Sequence, residues 1–167
     1  ADLIVVSDLE NFVVEQVYKN GELVAEHGSV RKPTPLVIDE KRFSRVTDSF
    51  EMDEITPRDL ELKEHGTKER VICLMENELL TEEKIVPFRQ YPGTAPGVDV
   101  ANKIIKLAVF ERHHHTGHVG LGFLGNSSLT CGAVASSIAH DSHNLIVAGT
   151  NDTDMVLAGN AGRRHKG

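Results

Sequence analysis

Short apolar runs, each stopped by a turn, dominate this chain and leave little room for long helices. "DLIVVSD", "ERVICLMEN", "LLTEEKIVPF", "NKIIKLAVFERH", "HVGLGFLGN", "GAVASSIAH" and "HNLIVAGT" have strand length and lie between Gly, Pro, Asn or Asp residues. That pattern reads as β-sheet. Asn20-Gly21 divides "VEQVYKNGELVAEHG" as a hairpin turn, because both positions of such a turn need positive φ. Glycines break "HVGLGFLGN", as they do where another backbone comes close. The small residues Gly132, Ala133, Ala135, Ser136, Ser137 and Ala139 permit an element to pack tightly over that segment.

Helix signals are few. "NDTDMVLAGN" has Asn151 or Thr150 as a cap and Asp152 and Asp154 in the first turn, where the helix dipole favours them. Thr56 and Pro57 in "DEITPRDLEL" predict a short helical turn. Pro33 and Pro35 make "VRKPTPLVIDEKRFSRVTDSF" an expected extended, non-helical linker. The expected architecture is α+β. Residues 48–167 form one mixed-sheet domain with a few helices, and residues 1–47 form a short all-β segment with its linker.

A composition of 40% hydrophobic and 26% charged residues is that of a globular chain. No apolar stretch is long enough for a membrane-spanning helix, so no membrane partner is expected. The net charge of −7 argues against a nucleic-acid partner. Residues 48–86 carry −7 and residues 87–167 carry +2, and the acidic middle reads as a solvated helix face. Cys73 and Cys131 lack metal or redox spacing and are expected as two buried free thiols in a cytoplasmic protein. The apolar opening at Ala1, with no initiator Met, has little chain from which to find a partner and suggests a piece of something longer. The polar, glycine-rich, basic end "GNAGRRHKG" reads as a frayed tail.

Two segments hold candidate chemistry. "ERHHHTGHVG" places His113, His114, His115 and His118 close together, and imidazoles can bind zinc, nickel or manganese. On a strand, His113 and His115 would face one way and His114 the other. His113 and His115 are thus the weaker, alternative metal candidates. "HDSHN" offers His140, Asp141, His143 and Asn144, with Asp141 able to orient an imidazole. Asp141 and Asn144 serve a plain turn equally well. Ser142 lacks the glycine-flanked elbow of a hydrolase nucleophile. "GLGFLG" has the spacing of a dinucleotide fingerprint, but no helix follows it.

The residues also resemble a known family. "ADLIVVSDLENFVVEQVYKNGELVAEHG" resembles the end of the small β-sandwich domain of the amidohydrolase superfamily. "NKIIKLAVFERHHHTGHVGLGFLGNSSLTCGAVASSIAHDSHNLIVAGTNDTDM" is similar to the C-terminal domain of bacterial and archaeal adenine deaminases. The likeness covers residues 1–30 and 85–157 and departs after "GTNDTDM", where the family helix gives way to "LAGNAGRRHKG". It implies a metal-dependent hydrolase converting adenine and water to hypoxanthine and ammonia in purine salvage, and a homo-oligomer. It also implies a manganese or iron pair held by histidines and aspartate of a catalytic barrel upstream of Ala1. No such ligand maps onto this chain, so the chain alone is expected to bind no cofactor and to lack deaminase activity. His140, Asp141, His143 and Asn144 are then candidates for a supporting role in catalysis. Other readings are a non-catalytic oligomerisation module, or a stand-alone metal-binding protein using His113, His115, His140 and His143.

Overall fold

The computed structural model of the protein describes residues 1–31, 33, 37–62 and 66–167, with Arg45 described by its backbone alone. Contacts divide it into two units, Ala1–Phe43 and Ser44–Gly167.

The first unit is an antiparallel meander of β1 (Leu3–Val6), β2 (Val14–Lys19), β3 (Glu22–Glu26) and β4 (Ser29–Val30), in that order. Asn20 and Gly21 take φ of 52° and 77°, the conformation expected of the hairpin turn. His27 and Gly28 repeat this one hairpin later, with φ of 47° and 75°. Contrary to expectation, the opening apolar run finds a partner within the chain. Leu3 pairs with Tyr18 and Ile4 with Val17. The linker also differs from expectation. Pro33 lies in irregular backbone and Pro35 is outside the described residues, but Glu40–Thr47 form a helix, α1. Asp39 explains where it starts, since its carboxylate accepts from the Lys41 and Arg42 amides at 3.1 and 3.3 Å.

The second unit is built on a six-stranded sheet. Its strands are β5 (Lys68–Leu74), β6 (Thr81–Pro87), β7 (Ile105–Phe110), β8 (Val119–Gly125), β9 (Ala133–Ser136) and β10 (Leu145–Gly149). They lie in the order β6-β5-β8-β7-β10-β9, with β5 and β8 parallel and all other pairs antiparallel. The fold is α+β with a mixed sheet, as the sequence implies. Among its described residues, the acidic middle of the chain is not a helix face. It forms an irregular strap, a 3-10 turn at Pro57–Leu60 and the β5–β6 hairpin.

One helix, α2 (Asp152–His165), packs over β9 and β10. Asn151 caps it, with Oδ1 accepting from the Asp154 amide at 2.9 Å. The expected frayed end is instead helical to His165. Packing against the strap explains this. The Asn160 side chain accepts from the Ile55 amide at 2.9 Å and donates to the Ile55 carbonyl at 2.8 Å. Gly159 lets the helix sit close to Ile55 and Val147. Arg163, Arg164 and His165 in the last turn complement the helix dipole.

The core lies between sheet, strap and helix, formed by Ile55, Leu60, Ala108, Phe110, Leu145, Val147 and Met155. Val71, Cys73, Ile104 and Phe123 make a second cluster. The close approach expected along "HVGLGFLGN" occurs only at Gly125, where a Cβ would lie 2.8 Å from the Cys73 and Val71 side chains, whereas at Gly120 and Gly122 it would meet nothing within 4 Å. Lys106 is wholly buried on β7 and donates to the Leu60 carbonyl and to Asp152, 2.7 Å away. It ties the 3-10 turn to the start of α2. Cys73 is buried, but Cys131 is exposed, so only one thiol is where the sequence placed it.

Candidate functional site: two polar loops at one end of the sheet

Phe110 pairs with Leu145 of β10 on one side and with Val119 of β8 on the other. The β7–β8 loop (111–118) and the β9–β10 loop (137–144) therefore emerge at the same end of the sheet. The pairing brings together both histidine-bearing segments, which are far apart in sequence.

The 111–118 loop is organised by one carboxylate. Glu111 accepts from the amides of His113, His114 and Thr116 at 2.6, 3.0 and 3.2 Å, and from the Thr116 hydroxyl at 2.8 Å. Burial pushes its pKa up, but the hydrogen bonds from His113, Thr116 and His114 outweigh this and hold it down to about 2. His113–His115 thus lie in a loop and not on a strand. Their side chains diverge. His113 Nε2 lies 2.8 Å from the Ser142 carbonyl, while His115 Nε2 lies 2.9 Å from Asp53.

The 137–144 loop is held mainly through its backbone. The His143 amide donates to the Ala139 carbonyl at 2.7 Å, and Asp141 and His143 take left-handed φ of 70° and 49°. The Asn144 amide donates to Ser142 Oγ at 3.3 Å. His140 Nδ1 and Asp141 Oδ1 are 3.0 Å apart, with side chains 98% and 90% exposed. Asn144 is half-buried, and its Oδ1 is shut from solvent without a donor. Asp141 is therefore placed to orient His140, whereas His143 meets the rest of the site through its carbonyl.

Arg112 was missed by sequence reasoning and joins the two loops. Its Nε donates to the His143 carbonyl at 2.6 Å. Its Nη1 donates to Ser49 O and Oγ at 2.8 and 2.9 Å, and its guanidinium lies 4.3 Å from the centre of the Phe50 ring. Burial lowers its pKa from the ordinary arginine value. Its partners lie 31 and 63 residues away, so no local pattern could mark it.

Among the described residues, no three His, Cys, Asp or Glu side chains come together as metal ligands would. The described residues do not fit a metal, and His113, His115, His140 and His143 do not form the set considered from the sequence. The G-x-G-x-x-G of residues 120–125 lies inside β8, so it cannot open a helix toward a dinucleotide. A cleft of about 480 Å³ opens between the Pro57–Leu60 turn and β8, lined by Arg58, Asp59, Glu61, Leu62, Gly117, Val119 and Leu121. None of the four "HDSHN" candidates lines it. No helix among the described residues is long and apolar enough to cross a membrane.

Residues 78–167 match the family model of the adenine deaminase C-terminal domain. The chain belongs to that family. It is 40% identical over 163 residues to adenine deaminase 2 of Carboxydothermus hydrogenoformans, an alignment covering 95% of this chain and 27% of that relative. Adenine deaminases of Desulfatibacillum aliphaticivorans and Lysinibacillus sphaericus are 40% and 36% identical, again over 95% of this chain and 27% of theirs. The chain thus spans about a quarter of the length of the family members it matches.

Proposed function

We propose that this chain serves as the C-terminal part of an adenine deaminase, an enzyme converting adenine and water to hypoxanthine and ammonia in the cytoplasm. The carrying observation is the alignment of nearly the whole chain with proteins of that name. The chemistry needs a hydroxide delivered to C6 of the purine and an acid for the departing ammonia. A manganese or iron pair would supply that hydroxide, held by the part of the enzyme that this chain does not match.

In this reading the chain contributes architecture and a polar loop. Residues 1–47 are the end of a small β-sandwich domain with its linker, and residues 48–167 are the appended α+β domain. None of the described residues in Ala1–Phe43 is buried, which suits a sheet that acquires its second layer from elsewhere. His140, Asp141, His143 and Asn144 stand as supporting residues, and the assembled enzyme is a homo-oligomer. The exposure of His140 and Asp141 leaves both free to meet another surface.

The test is a chimera in which this chain replaces the matching quarter of the Carboxydothermus relative. Ammonia release from adenine with added Mn²⁺ is the expected result. A soluble, folded chimera without turnover, beside an active parent, would refute the assignment. The 167-residue chain alone is expected to release no ammonia above a buffer blank. In the active chimera, His140→Ala is expected to lower kcat/KM without lowering Tm. Unchanged kinetics would make the loop a structural turn only.

A further inference from the structure

Glu69 is a buried acid that neither polar loop uses. It lies on β5 with its side chain turned into the covered face of the sheet and is 7% exposed. The loop Arg89–Asp99 closes over it at Gly97. A Cβ on Gly97 would lie 2.6 Å from Glu69 Oε2 and would also strike the Phe123 ring, and φ there is +82°. Only glycine lets the backbone pass so close. Among the described residues, Glu69 Oε2 is shut from solvent and has no hydrogen-bond donor.

The nearby charges among the described residues do not compensate it. Asp99, on the same loop, is itself 4% exposed and repels a Glu69 carboxylate. The loop's donors are spent on Asp99, which accepts from the Asn102 amide and side chain at 3.1 and 2.8 Å and from the Tyr91 hydroxyl at 3.3 Å. Arg89 also faces Asp99, at 3.9 Å. Lys68 and Arg70 flank Glu69 on β5 but alternate to the exposed side. Lys84 on β6 is exposed, and Lys106 on β7 is committed to Leu60 and Asp152. Burial, with Asp99 adding in the same direction, pushes the Glu69 carboxyl up to about 7.

We propose that Glu69 is a proton-operated latch beneath the Arg89–Asp99 loop: the neutral acid stays under Gly97, and ionisation favours an open loop with the carboxylate in water. The loop is tied beyond itself. Ala95 donates its amide to the Thr150 carbonyl at 2.8 Å, immediately before the Asn151 cap of α2. Gly97 donates to the Arg89 carbonyl at 2.9 Å. Opening at Gly97 therefore loosens the anchor of the helix start.

The sign follows from linkage. A carboxyl raised in the closed state and ordinary in the open state releases its proton on opening. Closure is then strongest below the ordinary glutamate value of 4.5, weakens as pH rises, and levels off above about 7. Amide hydrogen exchange of the full chain, corrected for base catalysis, reads this directly. Protection of the Ala95 and Gly97 amides is expected to fall by up to about tenfold per pH unit across that window. In Glu69→Gln it is expected to stay high and flat. A flat wild-type profile, or the same slope in the variant, overturns the latch. The carboxyl carbon resonance of Glu69 in the wild-type chain gives the answer even if the variant fails to fold. A midpoint near 7 supports the latch, and one near 4.5 refutes it.

Discussion

Asn160 sits in the middle of α2, where an amide side chain ordinarily competes with the helix backbone. Here both ends of that amide are used on Ile55, and the side chain is buried. Asn160→Ala would leave the Ile55 amide and carbonyl unpaired within the core. The expected cost is about 2–4 kcal/mol, read as a fall in the urea midpoint at unchanged slope. Glu111 works at the same scale, with a different signature. Its folded pKa of about 2 lies below the ordinary 4.5, so its contribution is present above 4.5 and is lost as pH falls toward 2. Glu111→Gln is therefore expected to lower Tm at about pH 7 and to leave it unchanged at about pH 2. A Tm difference of the same size at both pH values would show that the carboxylate charge is not what orders the loop.

At the scale of elements, α2 shows why local pattern and outcome can part. Its start was legible, because Asn151, Asp152 and Asp154 are a cap and first turn by chemistry alone. Its continuation through Gly159 and Gly162 was not. Those glycines oppose a helix by propensity, and the opposing contacts come from Ile55, about a hundred residues earlier, and from the sheet. The hairpin at Asn20-Gly21 and the alternating strands were legible for the same local reason. The parallel pairing of β5 with β8, the link from Arg112 to His143 and the meeting of His113 with Ser142 were not, since each joins distant segments. The two helix glycines also predict opposite results. A Cβ at Gly162 would meet Leu145 Cδ1 at 3.2 Å, a small adjustment, so Gly162→Ala is expected to raise stability by about 0.5–1 kcal/mol through helix propensity. A Cβ at Gly159 would already lie 2.6 Å from Ile55 Cδ1 and 3.2 Å from Val147, so Gly159→Leu is expected to cost about 1–3 kcal/mol. Thermal melts of the two variants beside wild type give the comparison, and equal shifts of the same sign would contradict the packing described for α2.

For the whole molecule, burial is distributed unevenly. Ala1–Phe43 contains four paired strands, yet Leu3, Phe12, Val13 and Val30 are each more than half exposed and no described residue there is buried. Backbone hydrogen bonds alone contribute little net stability, because water satisfies the same groups in the unfolded chain. Ser44–Gly167 holds both hydrophobic clusters, and β7 and β10 lie inside its sheet with their ladders paired on both sides. Opening free energies should therefore rise from the first unit to the centre of the second sheet. Native-state hydrogen exchange in increasing urea is expected to show the β1–β3 amides opening first and with little denaturant dependence. The Ala108 and Val147 amides are expected to exchange only through global unfolding of the second unit. Amides of Val17 or Ala25 as protected as that of Val147 would mean that the apolar side chains of the first sheet are covered in solution, through a contact made by the 167-residue chain itself.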